Sequence, residues 1–430
     1  MSDTNELIVT PAVPVTPAII KAIGVGGGGG NAVGQMYRDE IEGVRCLVCN
    51  TDAKALSDTP VPDRLQLGPG LGAGGRPEEG RKLAEDSVEE IREALDADTK
   101  MVFVTAGMGG GTGTGASPVI AREARGKGIL TVGIVTIPFL FERDRQIKKA
   151  LAGLDALAAE VDALLVINNQ RLLEVYPETS VIEAFRLADR TLSMAVSSIT
   201  DIISMHGRVN LDFRDVDMVL RGGGVSVMST GYGEGAGRIG KAIADALNSP
   251  LLNNKDIYRS ARMLLALSFD PDENGMMTDE LNELSDFMDR FDDEDMQFKW
   301  GLAYDRSLGG KVKVTILASG FSLYARKDER AAQPLDEEEQ LRYEERRNSF
   351  YAVKSSGKKS AAARAYVFSP DDLLNEDLIA EVERVPTKAR GAEQLARIKS
   401  YASKTERRVQ SPAARPAAVH SGDTISFGAE

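Results

Sequence analysis

Cysteine, histidine and tryptophan are scarce in this chain of 430 residues, which contains two, two and one of them. Two cysteines cannot form the disulfide framework of a small secreted domain, and with His206 and His420 they provide no cluster for a structural metal. Apolar runs long enough to span a membrane are missing, and the first twenty residues lack a basic signal-peptide start. We expect a cytoplasmic protein that is neither exported nor inserted in a membrane.

Basic residues are outnumbered, since 52 Lys and Arg against 65 Asp and Glu give a net charge of −13. The counts are 34 against 47 up to residue 326 and 18 against 18 beyond it, so the negative excess lies in the first part. A nucleic-acid partner requires a basic surface for its phosphates, and this balance argues against one. The length allows two domains and a further segment.

Short apolar runs alternate with helical stretches in the first 170 residues. This alternation predicts an α/β domain with a Rossmann-like parallel sheet covered by helices on both faces. Strands are predicted at 18–24, 44–49, 101–105, 130–136 and 163–167, with a helix at 77–95. Ligands of such sheets bind at the carboxyl ends of the strands.

A long amphipathic helix is predicted over 181–207, with Gly207 ending it. It separates a nucleotide-binding domain from a smaller α+β domain. The predicted divisions are a flexible arm at 1–17, the first domain at 18–180, the second at 208–326 and a mostly disordered linker and tail at 327–430. Within the second domain, helices are predicted at 235–247 and 277–291 and a strand at 311–317.

The first Gly-rich loop follows the predicted strand at 18–24 and contains five successive glycines at 26–30. Its backbone N–H groups can face an anion at the start of the next helix, which predicts phosphate binding. The loop also satisfies G-x-G-x-x-G, and Asp52 follows about 20 residues later. A nicotinamide dinucleotide-binding oxidoreductase is therefore an alternative.

A second Gly-rich loop, Gly-Gly-Gly-Thr-Gly-Thr-Gly at 109–115, follows the strand at 101–105 and precedes a helix predicted at 116–125. A dehydrogenase has no need of a second phosphate loop. Two such loops at neighbouring strand ends can hold a triphosphate from two sides, with the Thr112 and Thr114 hydroxyls as extra donors. The alternative is a pair of tight packing turns.

Two other motifs are interpreted without a catalytic role. Residues 235–242 miss the Walker A pattern because Ala242 replaces Ser or Thr, and with no clear strand before them they predict the start of a helix. Cys46 and Cys49 have the spacing of a redox pair, but on a strand they would point to opposite faces.

Six blocks that occur in order along the chain together resemble the FtsZ family, the bacterial relatives of tubulin; they are residues 26–33, 50–52, 72–74, 107–115, 138–142 and 210–215. The resemblance covers about residues 18–325. It implies a cell-division GTPase whose subunits polymerise head to tail into the septal ring at mid-cell. It also implies GTP and Mg²⁺ as ligands and cytosolic membrane-anchor and regulatory division proteins as partners.

The resemblance implies a role for each matched residue. The phosphate loops would comprise Gly27, Gly28, Gly29, Gly30, Asn31, Ala73, Gly74, Gly75, Gly111, Thr112, Gly113 and Thr114. Near the phosphates and the metal would lie Asn50 and Asp52, although no residue is assigned as a metal ligand; Glu142 would hold the ribose, and Asn169, Phe185 and Asp189 the guanine base.

The resemblance also implies that Asn210, Asp212 and Asp215 act on the nucleotide of the next subunit, where the carboxylates orient the attacking water. Four positions depart from the family. Gln146, which stays among the implied GTP-binding residues, replaces Arg, Arg76 replaces Asn, and Asn168 and Gln170 flank Asn169 where Pro and Asp are usual. These departures leave open an assembler that hydrolyses GTP weakly or not at all. The family's C-terminal docking peptide has its nearest counterpart at 377–390.

Overall fold

The computed structural model describes residues 19–249, 257–272, 275–291, 296–321, 343–344, 346–347, 349–351 and 379. The chain divides into two units, 1–352 and 353–430, and every element below belongs to the first. The predicted arm at 1–17 and, apart from residue 379, the predicted docking segment at 377–390 lie outside the described residues.

Eleven strands of the described chain form one sheet. They are β1 (Ile20–Val25), β2 (Val44–Asn50), β3 (Arg64–Gln66), β4 (Met101–Gly107), β5 (Leu130–Ile137), β6 (Ala163–Asn168), β7 (Gly207–Val209), β8 (Gly224–Glu234), β9 (Arg262–Phe269), β10 (Gln297–Tyr304) and β11 (Lys311–Phe321). All six predicted strands are present, and the parallel α/β fold is confirmed.

The strand order is β3-β2-β1-β4-β5-β6-β8-β11-β9-β10-β7. Strands β1 to β6 run parallel, and β8 joins them through three residue pairs with β6, so the strands of both predicted domains share one sheet. The chain moves outward from β1 to β2 and β3 and then returns to the other side of β1 with β4. This reversal makes the carboxyl ends of β1 and β4 the expected binding crevice.

Eleven α-helices lie in the described residues: α1 (Gly26–Arg38), α2 (Ala53–Ser57), α3 (Pro77–Asp86), α4 (Val88–Ala94), α5 (Thr112–Gly126), α6 (Asp144–Glu160), α7 (Asn169–Val175), α8 (Val181–Ser204), α9 (Phe213–Leu220), α10 (Arg238–Leu247) and α11 (Leu281–Met288). None of these helices is long and apolar enough to cross a lipid bilayer. The single helix predicted at 77–95 is two helices, because the buried Ser87 leaves the helical conformation and its hydroxyl accepts from Gly68 N at 3.3 Å.

Three apolar clusters hold the helices to the sheet. On one face of the parallel strands lie α3 to α6, and on the other lie α1, α8 and α9. Leu192 and Val196 of α8 share their cluster with Leu264 of β9 and Leu317 of β11, so α8 packs against both parts of the sheet. The third cluster joins α10 and α11 to the later strands. Full burial of each such side chain contributes about 1.5–3 kcal/mol to folding.

The prediction that Gly207 ends the long helix is wrong. Helix α8 ends at Ser204, and Met205 is already extended. Gly207 instead begins β7, where a Cβ would lie 1.9 Å from the carbonyl oxygen of Leu302. Glycine is therefore required here for the close approach of β10.

The segment 235–242 does follow a strand, β8, contrary to the sequence interpretation, and α10 begins at Arg238. It is nevertheless closed to a phosphate. Glu283 Oε2 accepts from Gly240 N at 2.5 Å, so a carboxylate of the protein already neutralises the start of this helix.

The two cysteines are free and lie on opposite faces of β2, as predicted. Cys46 packs with the cluster around α1, whereas Cys49 belongs to the cluster around α5. Burial raises the pKa of Cys46 to about 11 and that of Cys49 to about 12. Neither thiol is a redox or nucleophilic group at neutral pH.

The segment 343–351, which lies in the stretch expected to be linker, packs against the first domain. Phe350 and Tyr351 are 5% and 7% exposed and join the cluster around α5 and α6. The polar composition around them concealed this contact. Of residues 327–378, the structure describes only 343, 344, 346, 347 and 349–351.

Candidate functional site

Helices α1 and α5 begin directly after β1 and β4, on both sides of the topological reversal. No side chain in the described part of the chain caps either helix start. Each helix therefore presents unpaired backbone N–H groups and the positive end of its dipole at the crevice. Gly27, Gly28 and Gly110 are exposed there, and a Cβ on Gly27 or Gly110 would meet no described atom within 4 Å.

The Gly-rich loops are in direct contact. Gly26 has a φ of +72°, and a Cβ on it would lie 2.7 Å from Gly113 N, so only glycine fits. The loop at 73–75 adjoins them, because a Cβ on Gly111 would lie 2.9 Å from Ala73 Cβ. Lys149 of α6 fixes that loop by donating from Nζ to the Gly75 carbonyl oxygen at 2.5 Å. The three loops form one continuous surface, which we call the phosphate rim (residues 26–31, 73–75 and 110–113).

The end of β2 reaches the phosphate rim through two hydroxyl groups, Thr51 Oγ1 and Thr112 Oγ1, 2.6 Å apart. Asn50 is buried, and its Oδ1 accepts from Asp52 N at 3.2 Å. Asp52 is exposed, and its Oδ1 caps α2 by accepting from Lys54 N at 2.9 Å. The structure thus brings Asn50 and Asp52 to the rim, whereas Thr51 was missed by the sequence analysis.

Thr114 is predicted to donate a hydrogen bond to a phosphate, but its hydroxyl group is buried. It is 3% exposed, and its hydroxyl accepts from Gly109 N at 2.8 Å. Its methyl group faces Gly153 of α6, where a Cβ would lie 2.2 Å away. As the third residue of α5 it faces the protein, and it supports the loop from behind.

Asn169 follows β6 and begins α7. It is 5% exposed, and its Oδ1 has no hydrogen-bond partner among the described residues. A buried, unsatisfied amide is costly, and such a group is expected to gain a ligand. Asn168, which the sequence analysis did not assign, caps α7 by accepting from Gln170 N at 2.9 Å.

Phe185 of α8 is 43% exposed, and its ring contacts the ring of Phe139. Phe139 is fully buried, meets Phe185 edge to face at 5.1 Å and stacks on Phe141 at 5.0 Å. The free face of Phe185 is a stacking surface for a planar base. Phe139 lies in the block 138–142 that carries the family resemblance, but the sequence analysis assigned it no role of its own.

Asp189 lies one helical turn beyond Phe185, on the same side of α8. Burial raises the pKa of Asp189 to about 6, and the Arg38 guanidinium opposes this increase. A half-buried carboxylate is poorly solvated and favours a ligand that donates hydrogen bonds to it.

Glu142 lies beside Phe139, and Gln146 lies beside Gly109. Glu142 accepts from Phe139 N at 2.9 Å, and burial raises the pKa of its carboxyl group. Gln146 lies in the first turn of α6, and its carbonyl oxygen would be 3.1 Å from a Cβ on Gly109. Arg76 precedes α3. A Cβ added to Gly111 would lie 2.9 Å from the backbone nitrogen of Arg76.

The loop at 210–215 is a compact capping structure at the start of α9. Asp212 Oδ1 accepts from Arg214 N at 2.8 Å, and Asp215 Oδ2 accepts from Asp212 N at 3.1 Å. Asn210 Oδ1 accepts from Gly207 N at 2.8 Å. Asp212 is exposed, so its carboxylate can reach a second molecule.

The structure does not bring this loop to the phosphate rim of its own chain. The other end of α9 lies at the amino-terminal edge of the parallel strands, where Arg221 Nη1 is 3.4 Å from Asp162, the residue before β6. The rim lies at the carboxyl-terminal edge of the same strands. An eight-residue strand such as β5 separates the two edges by about 26 Å.

Three family models match this chain: the GTPase domain of the tubulin/FtsZ family at residues 19–177, the C-terminal domain of the FtsZ family at 224–322, and the model described as FtsZ, C-terminal, at 361–405. The cell division protein FtsZ of Porphyromonas gingivalis is 45% identical over 401 residues, which cover 89% of this chain and 87% of that protein. FtsZ of Azotobacter vinelandii is 41% identical, covering 72% and 79%.

An empty FtsZ dimer from M. jannaschii resembles the fold with a TM-score of 0.66 and 34% identity, over 74% of this chain and 95% of that one. CetZ2 from Haloferax volcanii, solved as a GTPγS-bound protofilament, has a TM-score of 0.59 at 20% identity, over 77% and 98%, and is alike in fold alone. The GTPase-domain match includes both Gly-rich loops, so the oxidoreductase alternative is not retained. The chain belongs to the FtsZ branch of the tubulin/FtsZ family and is a bacterial cell-division GTPase.

Proposed function

We propose that this chain polymerises head to tail and that GTP held by one subunit is hydrolysed with the 210–215 loop of the next. One observation carries the proposal. Phe185 and Asp189 lie in the first turns of α8, whereas the loop follows its other end, and Phe185 is about 30 Å from Met205 along the helix axis. A loop so placed requires a second subunit to meet a nucleotide.

The nucleotide lies along the carboxyl ends of the strands. Its phosphates accept from N–H groups of the rim, and the start of both helices compensates their charge. The Asp189 carboxylate accepts from the N1–H and amino groups of guanine, Asn169 contributes its buried amide, and Phe185 stacks on the ring. Adenine lacks this pair of donors, which explains the preference for guanine. Glu142 holds the ribose.

Hydrolysis of a phosphoanhydride depends mainly on positioning and charge neutralisation. The carboxylates of Asp212 and Asp215 orient the water that attacks the γ-phosphate, and Asn210 fixes the start of their loop. Beside the rim, the amide oxygen of Asn50 and the exposed carboxylate of Asp52 are oxygen ligands of the kind that Mg²⁺ prefers. Such an ion would be held mainly by phosphates and water. The ion supplies neutralisation of the phosphate charge.

Contact between the rim of one subunit and the loop of another is heterologous, and such a contact forms a filament when it does not close into a ring. The similar FtsZ structure from M. jannaschii is described as a dimer, which supports self-association. We place the filament in the cytoplasm at mid-cell. Membrane-anchor and regulatory proteins would bind 377–390, which falls inside the C-terminal match at 361–405.

Gln146 and Arg76 favour one alternative, an assembler with weak hydrolysis. Both lie beside the glycines of the phosphate loops, and Gln146 cannot supply the positive charge of the usual Arg. Arg76 Nε is 3.9 Å from the position of a Cβ on Gly74, so its guanidinium is close enough to compensate. Turnover in the assembled state distinguishes the two.

The trans arrangement is tested by mixing two inactive variants. Asp212→Asn removes one of the two carboxylates of the loop but keeps a good helix cap, while Asp189→Ala removes the base contact. Each alone should turn over GTP poorly. In an equal mixture about one quarter of the interfaces combine an intact pocket with an intact loop, so activity should return. Activity equal to the sum of the separate variants would contradict catalysis in trans.

A further inference from the structure

The segment 343–351 reaches the loops of the proposed base and ribose site through two buried hydrogen bonds. Tyr351 Oη donates to the Pro138 carbonyl oxygen at 2.6 Å, and Asn168 Nδ2 donates to the Phe350 carbonyl oxygen. Pro138 follows β5, and Asn168 ends β6. The segment therefore binds the ends of the two strands that precede the base and ribose residues.

Those two strand ends are also joined to each other. The Asn168 Oδ1 accepts from Gln170 N at 2.9 Å, and the Gln170 Oε1 accepts from Leu140 N at 3.1 Å. Asn169, with its unsatisfied amide oxygen, stands between these two residues of the network. A displacement of Phe350 or Tyr351 would therefore move both the Asn169 side chain and the loop at 139–142.

Helix α6 contacts three described residues of the segment. Arg346 Nη1 pairs with Asp155, Arg347 Nε lies 3.5 Å from Asp144 Oδ1, and Lys148 Nζ lies 4.7 Å from the centre of the Tyr343 ring. These contacts are partly exposed and individually weak. The burial of Phe350 and Tyr351 supplies the larger stabilisation.

We propose that 343–351 is a nucleotide-positioning element, in which Tyr351 and Asn168 fix the base and ribose loops so that guanine-nucleotide affinity depends on residues beyond the two matched domains. This inference rests on the proposed function. The segment lies outside both the 19–177 and the 224–322 matches. Neither Tyr351 nor Asn168 is placed in contact with the reacting phosphates, so both are positioning residues.

The test uses three full-length variants. Tyr351→Phe removes one hydrogen bond and keeps the ring, and Asn168→Asp keeps the cap of α7 but loses the donor to Phe350. Ser349→Ala is the control, because Ser349 is exposed and its hydroxyl donates to the Arg346 carbonyl oxygen inside the segment. Loss of one buried hydrogen bond should weaken GDP binding about two- to tenfold.

The affinity change should appear in KM for GTP, with kcat at saturation retained, because the element acts on base and ribose. Equal GDP affinity in Tyr351→Phe, Ser349→Ala and the wild type would overturn the proposal, as would equal weakening of all three variants. Should Asn168→Asp not fold, Tyr351→Phe decides alone.

Hydrogen exchange on nucleotide-free protein separates this inference from the proposed function. In Tyr351→Phe, the amides of 139–142 and 169–172 should exchange faster, while those of α10 keep their wild-type rates. Unchanged exchange in both loops would overturn the positioning role even if GTP binds. A wild-type protein that binds no GTP would instead overturn the proposed function, and the exchange result would still decide whether the segment fixes these loops.

Discussion

Lys299 and Asp215 form an ion pair between β10 and the start of α9, with Nζ 3.3 Å from Oδ1. Asp215 is 18% exposed, and Lys299 is 52% exposed. A pair this open contributes little to stability, about 0–1 kcal/mol. The ion pair instead orients the Asp215 carboxylate, because Oδ1 faces Lys299 while Oδ2 accepts from Asp212 N.

Replacing Lys299 by Met should lower kcat for GTP about three- to tenfold and leave GTP affinity unchanged, since the loop of one subunit acts on the nucleotide of another. Turnover would be measured on sedimented filaments. Lys311→Met is the matched control, because Lys311 is an exposed lysine at the start of β11. A normal kcat in Lys299→Met filaments would remove Lys299 from the catalytic account.

Guanine-nucleotide affinity should fall as pH decreases through about 6. Burial raises the pKa of Asp189 to that value, and below it the neutral carboxyl group no longer accepts two hydrogen bonds from guanine. Binding stabilises the charged form, so the affinity is fully present above the pKa and decreases below it. GDP titrations from pH 5 to 7.5 would measure this.

The phosphates of GDP also titrate in that range, and Asp189→Asn separates the two effects. The variant should bind GDP more weakly at pH 7.5 and show a smaller pH dependence than the wild type. The same pH dependence in both proteins would show that Asp189 does not face the base.

Gly110→Ala should weaken GTP binding without destabilising the fold. The added Cβ would meet no described protein atom within 4 Å, yet it would project from the phosphate rim. Gly126→Ala is the control, because Gly126 ends α5 away from the rim, has equal space and should be neutral or slightly stabilising, by up to about 1 kcal/mol. Thermal unfolding and GTP titration together check both variants, and unchanged affinity in Gly110→Ala would place the phosphates elsewhere.

The native thiols should resist alkylation at pH 8. Burial holds the pKa of Cys46 near 11 and that of Cys49 near 12, so the thiolate is rare in the folded chain. Labelling with iodoacetamide should be slow before unfolding and rapid in denaturant. Rapid labelling of the native protein would contradict the burial of β2.

Local patterns predicted the parallel half of the fold. Apolar runs bounded by Gly defined β1 and β4, and the order of the Gly-rich blocks placed the rim between them. Details that depend on distant residues were not predictable. The sequence predicts that Gly207 ends α8, but a glycine is required there by the close approach of β10. It also predicts that Thr114 donates to a phosphate, but this side chain is buried against Gly153 of α6.

The second half and the tail were the least predictable parts. Strand β8 joins β6 through three residue pairs, a contact between segments about 60 residues apart that no local pattern reveals. Phe350 and Tyr351 are two aromatic residues in a polar stretch, and only the structure shows their contact with Pro138 and Asn168.

The central claim is that hydrolysis requires a neighbouring subunit. The most direct measurement follows GTP turnover per molecule over a range of protein concentrations with Mg²⁺, with light scattering in the same cuvette. We predict that turnover per molecule rises above a threshold concentration together with scattering, and that Asp212→Asn scatters without turnover. Turnover per molecule that stays constant at all concentrations would contradict the account.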